Sequence, residues 1–413
     1  MIDQNDRTQQ RLRDSVKLAE SMADEDVAVA GALIQAAQLI PDADPQPNVS
    51  LGIARRAWEQ EPTRASYALP FTLFRQRRDA ELVEFMESNR ARAKSSITLP
   101  LIHSAALYRL GRVEEANTIF DRAADRYSKQ MPPIGRRRIL AGTSFSGFIR
   151  DQLLFREVSD IAKTALDDAI ADRPDDAALL AARGLLHLRW HRWPAAFADL
   201  KKATVLEPDN DEYLDAAASV ALLADEPAES DRLISVLVAK LSGPEALNSI
   251  WEYARIATRI PDPSCVDESF LELVQASAAA GPRYSWRHVA LVGTLHRLGR
   301  LEEALAEQDR IRQTFAEFDE PGQTATLFRR GLILFEQGKH AEAETAFRQG
   351  EAILRTWMPT AGIYPKGGRH SFMDSVALHR ELKTLIDGRA TEPANAEADP
   401  SDSADSDQKK AGQ

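Results

Sequence analysis

The feature that most constrains this chain is a pattern that recurs at a step of about 34 residues, clearest between Asp176 and Pro208. The stretch reads as two helices, DAALLAARGLLHLRW and AAFADLKKATVLEP, separated by a tight corner at HRWP. With Ala177 as position 1, Leu180 falls at 4, Gly184 at 8, His187 at 11, Ala196 at 20, Leu200 at 24, Ala203 at 27 and Pro208 at 32. Gly184 and Ala196 are small where two antiparallel helices would cross closely; a larger side chain at such a crossing overpacks by roughly 1–3 kcal/mol. Pro208 ends the second helix, because it has no amide hydrogen and clashes with the preceding turn.

The pattern recurs. Position 20 is occupied in turn by Leu82, Ala116, Ala162, Ala196, Ser230, Ala304 and Ala343. Three of the six intervals between them equal the full step, and the one from Ser230 to Ala304 is close to two steps with a short insertion. Position 24 follows as Met86, Phe120, Leu166, Leu200, Ile234, Gln308 and Phe347, nearly all large and apolar. The turn before position 20 repeats as LGRVEEA at 110–116, LGRLEEA at 298–304 and QGKHAEA at 337–343, where Gly111, Gly299 and Gly338 supply a left-handed residue to close the first helix. Gly331, Gly184 and, more loosely, Ser104 are the small residues at position 8. This spacing resembles the tetratricopeptide repeat, a helix-turn-helix unit of about 34 residues. The resemblance covers roughly residues 63–357, with a degenerate unit near 244–280 and another expected from about 29 to 62. It implies an all-α fold: an α-α superhelix, right-handed, of about eight to nine helical hairpins.

Repeats stack into one continuous core, so 413 residues do not require separate globular domains. The expected divisions are a polar N-terminal segment at 1–28, the repeat array at 29–357, a loop and capping helix at 358–387, and a disordered acidic tail at 388–413, which has no large apolar residue. The net charge of −11 argues against a nucleic-acid backbone or an anionic membrane as the main partner. Cys265 is the single cysteine, so no internal disulfide can form and no thiol-based metal site is available. No stretch approaches ~18 consecutive apolar residues, and the N-terminus MIDQNDRTQQRLRD lacks an apolar run. The expectation is a soluble cytoplasmic protein; 40 arginines against 12 lysines hint at a GC-rich bacterial genome.

Several local departures carry expectations of their own. RQRRD at 75–79 has arginines where a turn would have glycine, which weakens the pattern there. The lengthened step from Ala116 to Ala162 contains MPPIGRRRILAGTSF, whose Arg136, Arg137 and Arg138 are the densest basic run, read either as a solvated face or as a contact for an acidic partner. Residues 143–241 read as three regular units. After the Pro- and Gly-rich run MPTAGIYPKGGRH, Phe372, Val376, His379, Leu382 and Ile386 mark a final amphipathic helix, most simply a cap over the last repeat.

Position 13 carries Arg75, Arg109, Arg189 and Arg297, preceded by Phe74, Tyr108, Leu188 and His296. In the family the face that includes this position lines the concave groove, so the resemblance implies an intermittent basic strip suited to an acidic peptide or ligand. Capping of helix ends by positive charge is the competing reading. Trp286, Phe328 and Phe335 are the aromatic groove candidates at positions 2, 5 and 12, unless a neighbouring helix or the 359–370 loop covers them.

His187 and His191 have the spacing of a metal pair but face the partner helix and the turn, with no Glu placed as a hydrolytic zinc motif needs. GTSFSG at 142–147 misses the nucleophile-elbow pattern, and KGGR at 366–369 lacks the phosphate-loop spacing. The sequence therefore implies no catalytic residue, metal or cofactor. The expected function is a non-enzymatic scaffold or adaptor that binds one or more proteins or acidic peptides in its groove. Two alternatives are an accessory subunit of a bacterial glycan or envelope-polymer transferase, since family relatives often sit beside such enzymes, and a regulator binding a small signalling peptide.

Overall fold

The computed structural model describes residues 2–37, 46–62, 67–89, 98–130, 145–241, 246–314, 320–357 and 368–391. They form nineteen α-helices with no strand among them. Helix α1 (Ile2–Met22) leads into α2 (Val27–Ala37), α3 (Pro47–Gln60), α4 (Ala68–Arg75), α5 (Asp79–Ser88), α6 (Thr98–Arg109) and α7 (Val113–Gln130). A long helix α8 (Phe145–Asp172) precedes α9 (Ala177–Arg189), α10 (Trp193–Leu206), α11 (Asp211–Ala221), α12 (Pro227–Ala239), α13 (Ala246–Ala257) and α14 (Glu268–Ala280). The chain continues through α15 (Ser285–Arg297), α16 (Leu301–Thr314), α17 (Glu320–Glu336), α18 (His340–Trp357) and α19 (Gly368–Thr391).

Successive helices pair and each pair packs on the next, giving an all-α superhelical solenoid. Its core is continuous from Leu51 to Leu382. Six of the pairs close by one device. Arg77, Gly111, His191, Asp225, Gly299 and Gly338 all have φ between 53° and 76°. The next residue donates its N–H back to the carbonyl five residues earlier: Arg78 to Leu73, Arg112 to Leu107, Arg192 to His187, Glu226 to Ala221, Arg300 to Leu295 and Lys339 to Leu334, at 2.9–3.0 Å. This is the helix-ending motif that takes up otherwise orphaned carbonyls. The turn at 75–79 therefore keeps the repeat geometry with Arg77 in place of glycine.

The small residues sit where the spacing predicts. A Cβ added to Gly184 would lie 2.8 Å from Leu200 Cγ and 3.2 Å from the Ala196 carbonyl. One added to Gly331 would lie 3.3 Å from the Ala343 carbonyl, and also 2.4 Å from Leu382 of α19.

Three regions differ from the sequence reading. The N-terminal segment is a helix whose Val16 and Ala19 are buried with Ile34 and Ile53 of α2 and α3. The unit expected from residue 143 is not a hairpin but the single 28-residue helix α8. Between Phe148 and Arg173 there is neither glycine nor proline to end the first helix, so it runs on for about 42 Å at 1.5 Å per residue. Helix α19 packs on α17 and α18 as a cap would, but it also reaches α11, α13 and the 3₁₀ turn Leu222–Ala224, and it runs to Thr391, past the expected start of the tail. The run 131–142, the loop residues 359–367 and the tail beyond Thr391 lie outside the described residues.

Candidate functional site: the inner wall of the superhelix

The four position-13 arginines are mostly buried, with side chains 10% (Arg75), 13% (Arg109), 14% (Arg189) and 3% (Arg297) exposed. Each reaches a carboxylate on another element. Arg75 Nη1 donates to Glu157 of α8 at 2.5 Å, Arg109 Nη1 to Asp79 of α5 at 3.3 Å, and Arg189 Nη2 to Asp121 of α7 at 3.0 Å. Arg297 makes a two-pronged pair with Glu381 of α19, at 2.7 and 2.6 Å. Two of them also hydrogen-bond the end of the preceding unit's first helix: Arg109 to the Phe74 carbonyl at 3.2 Å, and Arg297 Nε to the Thr258 carbonyl at 3.0 Å. The row thus ties neighbouring units together, and the helix end that receives the positive charge belongs to the unit before.

The predicted aromatic residues are distributed differently. Phe328 is fully buried between Phe347 and His379, at centroid distances of 5.8 and 5.1 Å, so its ring offers no surface. Trp286 is half-buried with the Arg255 guanidinium 4.3 Å over its ring. Tyr108 is buried and donates its hydroxyl to Asn117 Oδ1 at 2.6 Å; burial raises its pKa. Phe335 is half-buried, meets His340 edge-on at 4.7 Å, and opens on a cleft.

That cleft, about 670 Å³ in volume, lies beside α19 and brings together the apolar Leu222, Phe335 and Leu385 with Arg259, Arg297 and Arg380 and with Asp225, Glu336 and Glu381. Of the residues singled out in the sequence, Arg297 and Phe335 line it. Arg380, with a side chain 46% exposed, donates to the Leu223 carbonyl at 3.1 Å, and Leu385 is a large apolar side chain left in water.

The most heavily charged part of the wall was not among the sequence candidates. Arg255, in the last turn of α13, and Arg259, in the turn just after it, converge on Asp374 of α19. Arg255 Nε donates to Oδ2 at 2.9 Å and Arg259 Nε to Oδ1 at 2.5 Å. All three side chains are almost entirely withdrawn from solvent. Burial works to raise the Asp374 carboxyl, but the two guanidiniums outweigh it and hold it below the usual carboxylate range. Arg329 of α17 lies near by, bonded to the Thr258 carbonyl at 2.8 Å and to His296 Nδ1 at 3.1 Å. Burial, with Arg297 adding repulsion, pushes Arg329 down to about 9. His296 is lowered to about 4, first by burial and then by Arg329 and Arg297, so its ring is neutral: Nδ1 accepts from Arg329 while Nε2 donates to Glu336 at 2.9 Å. The available signals were the i, i+4 arginines at the end of α13 and in the turn after it, and the acidic residues seven apart on α19, both in segments where the repeat pattern is loose.

His187 and His191 do not converge on a common point. His187 lines a separate recess of about 300 Å³ with Arg156, Trp190 and Arg192, whereas His191 is stacked on Trp193 at 4.9 Å and on Phe372 at 5.0 Å. Among the described residues no three His, Cys, Asp or Glu side chains are grouped as a metal would need, and no helix is long and apolar enough to cross a membrane.

Comparison with known proteins agrees with this architecture. Residues 287–356, which hold α16, nearly all of α15 and α18, and the whole of α17, match the family model for the tetratricopeptide repeat. Those residues are similar to tetratricopeptide repeats, and the helix pairs packed before them share the all-α solenoid architecture. No curated protein matches it. Similar solved structures include a tetratricopeptide repeat protein from Parabacteroides merdae, at 12% identity over 70% of this chain and 98% of that one, with a TM-score of 0.37. Yeast Tom70 is similar at 12% identity over 91% and 99% of the two chains, with a TM-score of 0.29. The TPR domain of P58(IPK) is similar at 14% identity over 92% and 100%, with a TM-score of 0.23. At scores this low the likenesses carry no argument beyond the fold seen directly.

Proposed function

We propose that this protein is a non-catalytic, cytoplasmic scaffold that holds a partner protein along the inner wall of its superhelix. The observation that carries the reading is the 670 Å³ cleft beside α19, where exposed Arg380 and Leu385 sit with half-buried Phe335. An apolar anchor beside a cation is the composition that concentrates binding energy at protein interfaces. The polar groups of the wall deeper than this cleft are spent on ties between helices, so the chemistry left facing outward is recognition. Arg259 and Arg297 are taken by Asp374 and Glu381, so half-exposed Arg380, 3.8 Å from Asp225, is the cation that favours a partner carboxylate at the contact. An accessory role beside a glycan-building enzyme, or capture of a small acidic peptide, would use the same wall and differ only in what is held.

The test is affinity capture with the wild-type chain and with an Arg380→Glu/Leu385→Asp double variant, followed by titration of the purified partner. Loss of at least tenfold in affinity by the variant, about 1.4 kcal/mol, is the expected result. Equal binding by both chains would remove the cleft from the function.

A further inference from the structure

The wall between α11 and α17 already holds an occupant, and that occupant is α19. From Ser371 to Leu378 every residue except Val376 is buried. A cap on the last repeat leaves its outer face to solvent; this stretch, unlike the exposed end of α19 from Lys383 to Leu385, is buried nearly all round, as a segment laid in a groove is. Its contacts are specific. Phe372 stacks on His191 at the far α9–α10 turn, Asp374 takes Arg255 and Arg259, and Glu381, two turns further on, takes Arg297. Leu382 then covers Gly331 of α17.

Without α19 the same wall would present Arg255, Arg259, Arg297 and Arg329 against Glu336, Asp215 and Asp225, a trough that keeps an excess of arginine in a chain of net charge −11. Buried guanidiniums need carboxylates in fixed geometry, so what enters that trough is chosen by its acidic groups.

We propose that α19 is an internal ligand holding the place of a partner, and that the partner is an amphipathic helix with two carboxylates on its buried face. That helix presents an aromatic residue, a carboxylate two positions later, a second carboxylate seven beyond it and a large aliphatic residue directly after, as Phe372, Asp374, Glu381 and Leu382 do. This rests on the scaffold reading and specifies what the scaffold takes. Because α19 is tethered, it competes at an effective concentration on the order of millimolar. A partner helix therefore meets mostly filled grooves, and its apparent affinity is reduced by the small fraction that is open. Weakening α19 should restore that affinity.

The experiment is fluorescence anisotropy with a labelled synthetic peptide of residues 368–391, titrated onto the full wild-type chain and onto an Asp374→Asn/Glu381→Gln chain. A peptide with Lys at both acidic positions is the control, and circular dichroism reports folding. The expected result is binding to the variant at least tenfold tighter than to wild type, with no binding of the lysine peptide to either. If the double variant loses helicity, Glu381→Gln alone, altering the less buried of the two carboxylates, takes its place with the same outcomes. A folded variant that binds the peptide no better than wild type overturns the proposal, as does equal binding of the lysine peptide. A captured partner that the peptide does not displace leaves the scaffold reading standing and overturns this one.

Discussion

At three of the six hairpin turns a residue with a Cβ holds the left-handed backbone that glycine takes freely: Arg77 at φ 53°, His191 at 56° and Asp225 at 63°. Such a conformation costs a side-chain-bearing residue roughly 1–2 kcal/mol, part of which glycine gives back in unfolded-state entropy. Arg77 is exposed, so Arg77→Gly should raise stability by about 0.5–1 kcal/mol in chemical denaturation. The same change at His191 should not, because its ring is stacked between Trp193 and Phe372. Glycine turns were legible in the sequence at 111, 299 and 338; the corners at RQRRD and HRWP were placed too, but that Arg77 and His191 take the left-handed backbone there, and that Asp225 does so in a third turn, was not, since the repeat geometry tolerates other residues at a cost no sequence pattern records.

His296 gives a second prediction at this scale. Its folded pKa of about 4 lies below the unfolded value of 6.5, so between those values the unfolded state binds the extra proton. Stability from this group is complete above about pH 6.5 and falls as pH drops toward 4, by about 3 kcal/mol at one pKa unit per 1.36 kcal/mol. Denaturation midpoints from pH 7.5 to 4.5 should show this slope in the wild type, and a His296→Gln variant should flatten it by about one proton.

Elements were legible where their determinants are local. Helices α9 and α10 appear where the spacing puts them, with Asp176 capping α9 by accepting from the Leu179 N–H at 3.1 Å. Helix α8 reads as a hairpin in sequence because buried Val158, Ala162 and Leu166 satisfy the repeat pattern just as well within one long helix. The place of α19 over the last repeat was legible from its amphipathic stripe, but its reach along the wall was not: its ion-pair partners lie 84 residues away at Arg297 and 119 away at Arg255. The arginine row shows the same limit, since its carboxylates come from 30 to 84 residues away on other elements. Phe372→Ala removes the ring that joins α19 to the α9–α10 turn, and truncation of a buried phenylalanine costs about 3–5 kcal/mol. Amide exchange should then quicken in α19 and at residues 190–193, and leave α4 and α5 unchanged; uniform quickening would mean that α19 is not a separate tie.

Across the whole molecule, the ties between units are expected to limit how far the solenoid can unwind. A stack of helix pairs held only by neighbours bends easily, because small rotations at each junction add along its length. Arg75 and Arg109 act against such rotation in the N-terminal half: Arg75 links α4 to α8, and Arg109 links α6 to both α4 and α5. Both are mostly buried, so salt should screen them little. A chain ending at Thr391 should have a radius of gyration above the ~22 Å of a compact globule of about this length, and the value should hold between 0.1 and 1 M salt. Arg75→Ala/Arg109→Ala removes both ties while leaving the turn motifs and small-residue crossings intact. Its helicity should stay at the wild-type level while its radius of gyration in small-angle scattering rises by about 1–2 Å, a change of about 5–10% on the globular scale. An unchanged radius with unchanged helicity would show that pitch is set by helix crossings alone, and that the arginines stabilise each junction without steering it.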